Sequence, residues 1–99
     1  DDEMIKGNYE YETGFQIMNC FKANDLKYEE VEMVLVGNHA PFTWGKNAAK
    51  AVHNSAVLEC IAQMALLTEQ INFNAPRLKD ALIQKHFERK HGPDSYYGQ

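Results

Sequence analysis

Four things are scarce in this 99-residue chain: cationic excess, long apolar runs, cysteine pairs and metal-binding histidine spacings. Ten Lys and Arg stand against fourteen Asp and Glu, for a net charge of −4. A mildly acidic chain has no surplus of cations to displace phosphate counterions, so nucleic acid is excluded as an expected partner. No apolar run approaches the ~18–20 residues a membrane-spanning helix needs. The acidic start, Asp1-Asp2-Glu3, has no apolar stretch behind it and does not read as a signal peptide. The two cysteines, Cys20 and Cys60, lie far apart within apolar helical patterns. They are expected to be buried thiols in a reducing compartment, not a disulfide. The four histidines, His39, His53, His86 and His91, form no H-x-H, H-E-x-x-H or Cys/His cluster, so spacing alone does not predict a complete zinc site.

What is present is an ordinary globular balance: 44% hydrophobic, 24% charged and 11% aromatic residues. That argues against disorder, and the length allows one domain at most, residues 1–99. Asp1 to Gly7 shows no periodicity and reads as a loop or a frayed entry. From Tyr9 to Ala23, Tyr11, Phe15, Met18 and Phe21-Lys22 follow helical spacing, with Ile17 and Cys20 widening the stripe. Gly14 weakens that helix by about 1 kcal/mol relative to Ala, so a packing reason is expected there.

Met33-Val34-Leu35-Val36 is the clearest strand, a non-alternating apolar run that predicts cover on both faces. Pro41 and Gly45 mark the following Ala40–Gly45 segment as a loop. Lys46 to Ile71 predicts the longest helix, with an apolar stripe wide enough to be largely buried. Pro76 suits the first turn of a last helix that ends at His91, before the Gly92-Pro93 stop.

This inventory leaves one strand without a partner. Each unpaired buried backbone group costs about 1–3 kcal/mol, so Met33–Val36 is expected to pair with strands outside this sequence. The chain therefore reads as α/β: either a partner chain supplies those strands, or this is the C-terminal piece of a larger α/β domain.

Three groups of residues could carry chemistry. His39 follows the buried strand, where ligands gather in open α/β sheets, although a loop histidine bonded to backbone fits the same position. His86 and Arg89 share a helical face and could present a proton donor beside an anion clamp. The same basic last turn also complements the helix dipole. Tyr96 and Tyr97 lie in a terminal segment where two aromatics hint at docking. His53 reads as a surface or helix-packing residue.

Two stretches together are specific: Asn38-His39-Ala40-Pro41-Phe42-Thr43-Trp44-Gly45-Lys46-Asn47-Ala48, continued by Ala51-Val52-His53-Asn54, and Lys85-His86-Phe87-Glu88-Arg89-Lys90-His91-Gly92 with Ser95-Tyr96-Tyr97-Gly98-Gln99. From about Gly7 onward the chain resembles the C-terminal portion of the L-ribulose-5-phosphate 4-epimerases of the class II aldolase/epimerase family. The resemblance implies an α/β/α sandwich around a central β-sheet, incomplete as given, in a cytoplasmic homotetramer. It implies a divalent metal, usually Zn²⁺, held by three histidines, of which His39 is one and the other two, an H-x-H pair, are absent here. Gly37 stands where the family has a further histidine that is not a ligand.

The implied reaction inverts C4 of L-ribulose 5-phosphate by breaking and remaking the C3–C4 bond. Tyr97 then matches a catalytic acid/base and His86 a histidine assisting at the aldehyde fragment. Arg89 matches an arginine that binds substrate or a neighbouring subunit, Tyr96 serves as packing, and the opposing aspartate is absent. The 99 residues alone are expected to bind zinc weakly and to show no epimerase activity. Two other functions fit the same motifs less fully: a class II sugar-phosphate aldolase, such as a fuculose-phosphate aldolase, and a non-catalytic assembly module of the same fold.

Overall fold

The computed structural model describes residues 2–96. The elements in order are α1 (Asp2–Lys6), α2 (Tyr9–Ala23), β1 (Met33–Leu35), β2 (Pro41–Thr43), α3 (Ala48–Ile71) and α4 (Asp80–His91). The chain divides into two compact units, Asp1–Ala65 and Leu66–Gln99, with the division falling inside α3.

In the first unit α2 matches its expected limits, and its ends explain why. The Asn8 side chain accepts a hydrogen bond from the Tyr11 amide, filling one of the donors a helix start leaves open. At the other end Asp25 adopts φ 52°. The Asp25 amide donates to Lys22 O and the Leu26 amide to Phe21 O, closing a Schellman motif without glycine. Before it lies α1, where a loop or a frayed entry was expected. Its acidic first turn (Asp2, Glu3) and Lys6 in the last complement the helix dipole, but five residues are too few to show a period. Gly14 has no packing reason: a Cβ there would meet no described atom within 4 Å.

The sheet corrects the sequence reading most. Pro41–Thr43, expected to be loop, is a strand that pairs antiparallel with β1, in the register Met33–Thr43, Val34–Phe42 and Leu35–Pro41. Proline is permitted there because it is the first residue of the strand and owes the ladder no donor. One edge of β1 is therefore satisfied within the chain, not by strands outside it. Nor is β1 covered on both faces, since Met33 and Val34 are half-buried and Leu35 is exposed. In the turn between the strands the His39 amide donates to Val36 O at 3.1 Å. Asn38 sits at φ 57°, a left-handed position that asparagine tolerates better than most residues.

The hairpin is fastened to the start of α3. Asn47 caps this helix by accepting from the Lys50 amide at 2.9 Å. Thr43 Oγ1 donates to Ala51 O at 3.0 Å. Asn54, the one buried polar residue among those described (5% exposed), donates through Nδ2 to Glu32 Oε2 at 2.7 Å and to Trp44 O at 2.8 Å. Lys50 Nζ approaches the same Glu32 oxygen at 3.9 Å. The Trp44 indole N–H donates to Tyr28 O at 2.7 Å, and its ring meets Phe21 at 5.6 Å between centroids. Phe21 and Leu58, each 8% exposed, are the buried apolar residues among those described.

Most of α3 is exposed, contrary to the burial its apolar stripe predicts. Ile61 and Met64 in the first unit, and Leu66, Leu67 and Ile71 in the second, all face solvent. Cys20 and Cys60 are free thiols as expected, but exposed, because the faces that carry them are uncovered among the described residues. An apolar stripe fixes which face of a helix needs cover, not whether these residues provide it.

In the second unit the last helix starts later than Pro76 suggests. Asn72 organises the turn after α3: its Oδ1 accepts from the Asn74 amide at 3.1 Å and its carbonyl from Ala75 at 3.0 Å. Lys79 is the N-cap, and its backbone carbonyl accepts from Leu82 and Ile83. The helix ends at His91 as expected, with the Gly92 amide donating to Glu88 O at 2.8 Å. A Cβ on Gly92 would sit 2.5 Å from that carbonyl oxygen, a backbone atom with little room to move. Gly92→Ala is expected to destabilise the end of α4 by about 1–3 kcal/mol. A urea titration followed by circular dichroism should show a lower midpoint; an unchanged midpoint would mean that the turn opens freely.

Candidate active-site residues

The sequence-predicted residues fall in two places, one in each unit. The first is the hairpin turn. His39 is exposed, and its Nδ1 lies 3.4 Å from Ala40 O. With the proton on Nδ1 toward that carbonyl, the lone pair falls on Nε2, which makes no hydrogen bond among the described residues. This is the usual arrangement of a histidine that offers Nε2 to a metal. The imidazole is flanked by two aromatic rings. Phe42 of β2 stacks on it at 5.3 Å and 11°, and Tyr9 of α2 approaches at 6.0 Å and 40°. Beside this turn lies an open cleft of about 420 Å³, whose lining includes Met4, Ile5, Tyr9, Glu12, Gly37 and Asn38.

The second place is the end of α4. His86 Nδ1 donates to Leu82 O, one turn back, at 2.8 Å, which again leaves Nε2 as the outward lone pair. After Gly92 the chain folds back on the helix. The Ser95 amide donates to Gly92 O and the Tyr96 amide to Arg89 O, at 3.0 and 3.1 Å. That return sets the Tyr96 ring 5.9 Å from the Arg89 guanidinium carbon, a cation–π contact. His86, Arg89, Lys90 and Tyr96 line a cleft of about 480 Å³. Two cations and a lone-pair nitrogen facing one cleft suit an anionic group next to an atom that gains or loses a proton.

The i, i+3 pair His86 and Arg89 is therefore brought together as the spacing predicts. Tyr96, read as packing from sequence, joins the same cleft. Lys90 was legible only as part of a basic turn, and the contacts of Tyr9, Phe42 and Asn54 carried no sequence signal at all. Tyr97 lies outside the described residues. His53 is exposed on α3. Among the described residues no three His, Cys, Asp or Glu side chains form a group able to hold a metal. His39 has the donor chemistry of one ligand and no companions here. No helix among the described residues is long and apolar enough to cross a membrane.

The family model described as "Class II Aldolase and Adducin N-terminal domain" matches residues 8–66, more than half of the chain. The chain belongs to the class II aldolase and adducin family. The matched span begins at the cap of α2, runs through the His39 hairpin and ends within α3. A curated member, "Probable L-ribulose-5-phosphate 4-epimerase UlaF" of Mycoplasma pneumoniae, is 43% identical over 99 residues. That match takes in 99% of this chain and 41% of the relative, so the chain spans well under half the length of the protein it matches. The mixed helical architecture with a two-stranded sheet accords with a partial class II aldolase fold.

Proposed function

We propose that these residues serve as part of an L-ribulose-5-phosphate 4-epimerase, working together with family residues beyond this sequence. The family match ends at residue 66 and by itself would suit an aldolase equally well. The observation that carries the reading is the extent of the 43% identity, which continues through the α4 cleft to cover 99% of the chain.

In this reading the remaining strands and helices complete an α/β/α sandwich. The assembly is a homotetramer, and the α4 end reaches a neighbouring subunit's site. The substrate is a sugar phosphate, and the compartment is cytoplasmic, where free thiols such as Cys20 and Cys60 persist. His39 Nε2 is one of the ligands of a divalent cation, zinc in the first instance. That cation, when bound, supplies Lewis-acid stabilisation of negative charge on oxygens beside the bond being broken.

This chain supplies part of what remains, and family residues beyond it supply the opposing acid/base. C4 carries no acidic proton, and in this reading inversion proceeds by breaking the C3–C4 bond and re-forming it on the other face of the aldehyde. Tyr97 gives a proton to, or takes one from, the aldehyde oxygen on one face. His86, held by Leu82 O, assists at the same fragment, and Arg89 binds the anionic substrate.

The test uses the whole enzyme with L-ribulose 5-phosphate. D-xylulose 5-phosphate is expected to form without free aldehyde, to cease forming on chelation and to form again on adding zinc. Turnover that releases a free aldehyde from a sugar phosphate would assign an aldolase instead. A whole protein that turns over no sugar phosphate would point to an assembly role.

A further inference from the structure

The inference concerns Phe42 and rests on the reading of His39 as a metal ligand. An exposed histidine at a hairpin turn has two free side-chain torsions, and a ligand must lose that freedom before it binds. In this structure the freedom is already reduced from three directions. Nδ1 faces the Ala40 carbonyl at 3.4 Å, the Phe42 ring lies 11° from parallel at 5.3 Å, and Tyr9 closes in from α2 at 6.0 Å.

The backbone makes this arrangement repeatable. The His39 amide is tied to Val36 O in the turn, and Phe42 is fixed opposite Val34 in the ladder, so the backbone under both rings is hydrogen-bonded within one hairpin. Tyr9 sits in the first turn of α2, next to its Asn8 cap. Phe42 is 37% exposed and is not among the buried apolar residues, so core packing does not account for where its ring lies.

We propose that Phe42 is a positioning residue: its ring fixes the plane of the His39 imidazole and so aims Nε2 at the metal, with Tyr9 as a secondary brace. Phe42 itself touches neither metal nor substrate in this scheme. Residues that orient a metal-binding histidine typically affect metal affinity by about 10- to 100-fold. A ring stack without a strong hydrogen bond belongs at the lower end of that range.

The experiment measures zinc affinity of the whole enzyme by chelator competition, alongside the melting temperature of the metal-free form. Phe42→Leu keeps apolar bulk and removes the planar ring. It is expected to weaken zinc binding about tenfold, with the metal-free melting temperature close to that of the parent. Phe42→Tyr keeps the ring and is expected to bind zinc as the parent does. Parent-like affinity in Phe42→Leu would overturn the proposal, and so would equal weakening in the Leu and Tyr variants, because bulk or packing would then be the cause. His39→Ala separates this inference from the reading beneath it. If His39→Ala retains tight zinc, His39 is no ligand and the functional reading fails. If it loses zinc while Phe42→Leu keeps it, the positioning role alone fails.

Discussion

Replacing Tyr97 with phenylalanine in the whole enzyme is expected to lower kcat by about 10²- to 10⁴-fold, the usual contribution of a positioned proton donor or acceptor. The exchange removes one oxygen and keeps the ring, so packing and substrate affinity should change little. KM is therefore expected to move far less than kcat, the pattern of an interaction made chiefly in the transition state. Zinc content should be unaffected, because Tyr97 is not proposed as a ligand. The measurement is steady-state turnover of L-ribulose 5-phosphate, with metal content determined on the same samples. If Tyr97→Phe turned over as fast as the parent, the acid/base would be another group, and Tyr97 would be left with a docking role.

The second large effect is expected in stability, at Asn54. Its Nδ2 holds both the Glu32 carboxylate and the Trp44 carbonyl, at 2.7 and 2.8 Å, in the least exposed polar position described. Asn54→Ala would leave a charged acceptor and a backbone acceptor without this donor and open a small void beneath the hairpin. Each unsatisfied group costs about 1–3 kcal/mol; with the Glu32 side chain 24% exposed, water replaces part of its lost bond, and a combined loss of roughly 2–4 kcal/mol is expected. Lys50, 3.9 Å from the same carboxylate, can recover part of it by moving closer. Asn54→Asp should be worse than a conservative exchange suggests, since it sets a second carboxylate against Glu32. Denaturant titration of both variants measures the effect. A loss below about 0.5 kcal/mol in both, the range of an ordinary surface change, would show that the hairpin is held by other contacts.

Much of this fold was legible where a period could be counted. The apolar stripe of α2 set that helix from Tyr9 to Ala23, and the Gly92-Pro93 stop marked the end of α4. β2 was hidden because Pro41 and Gly45 read as loop punctuation, although a proline that opens a strand needs no ladder partner. Asp80 took the helix start from Pro76: Lys79, the N-cap, is extended at ψ 135°, so the helical path begins only after it. Burial was misjudged at Cys20, Cys60 and along α3 for one reason: amphipathic pattern reports a need for cover, and the covering residues are not among those described.

The site divides in the same way. His39, His86 and Arg89 could be named because their residue types sit in short, unusual local contexts. The Phe42–His39 stack and the Asn54 clamp depend on contacts across strands and between elements. A linear pattern holds no trace of such pairings until the register is known.

Trp44 is the single tryptophan of the chain. Its ring rests against the α2 residue Phe21, its indole N–H is bound to Tyr28 O, and its own carbonyl is held by Asn54. The junction of the hairpin with two helices thus carries an internal optical probe. Within these residues, indole emission reports whether the base of the His39 hairpin is seated, separately from the summed helical signal of α2, α3 and α4 in circular dichroism. A shift of that emission to the red ahead of helix loss would mark the hairpin as the first part of the first unit to let go.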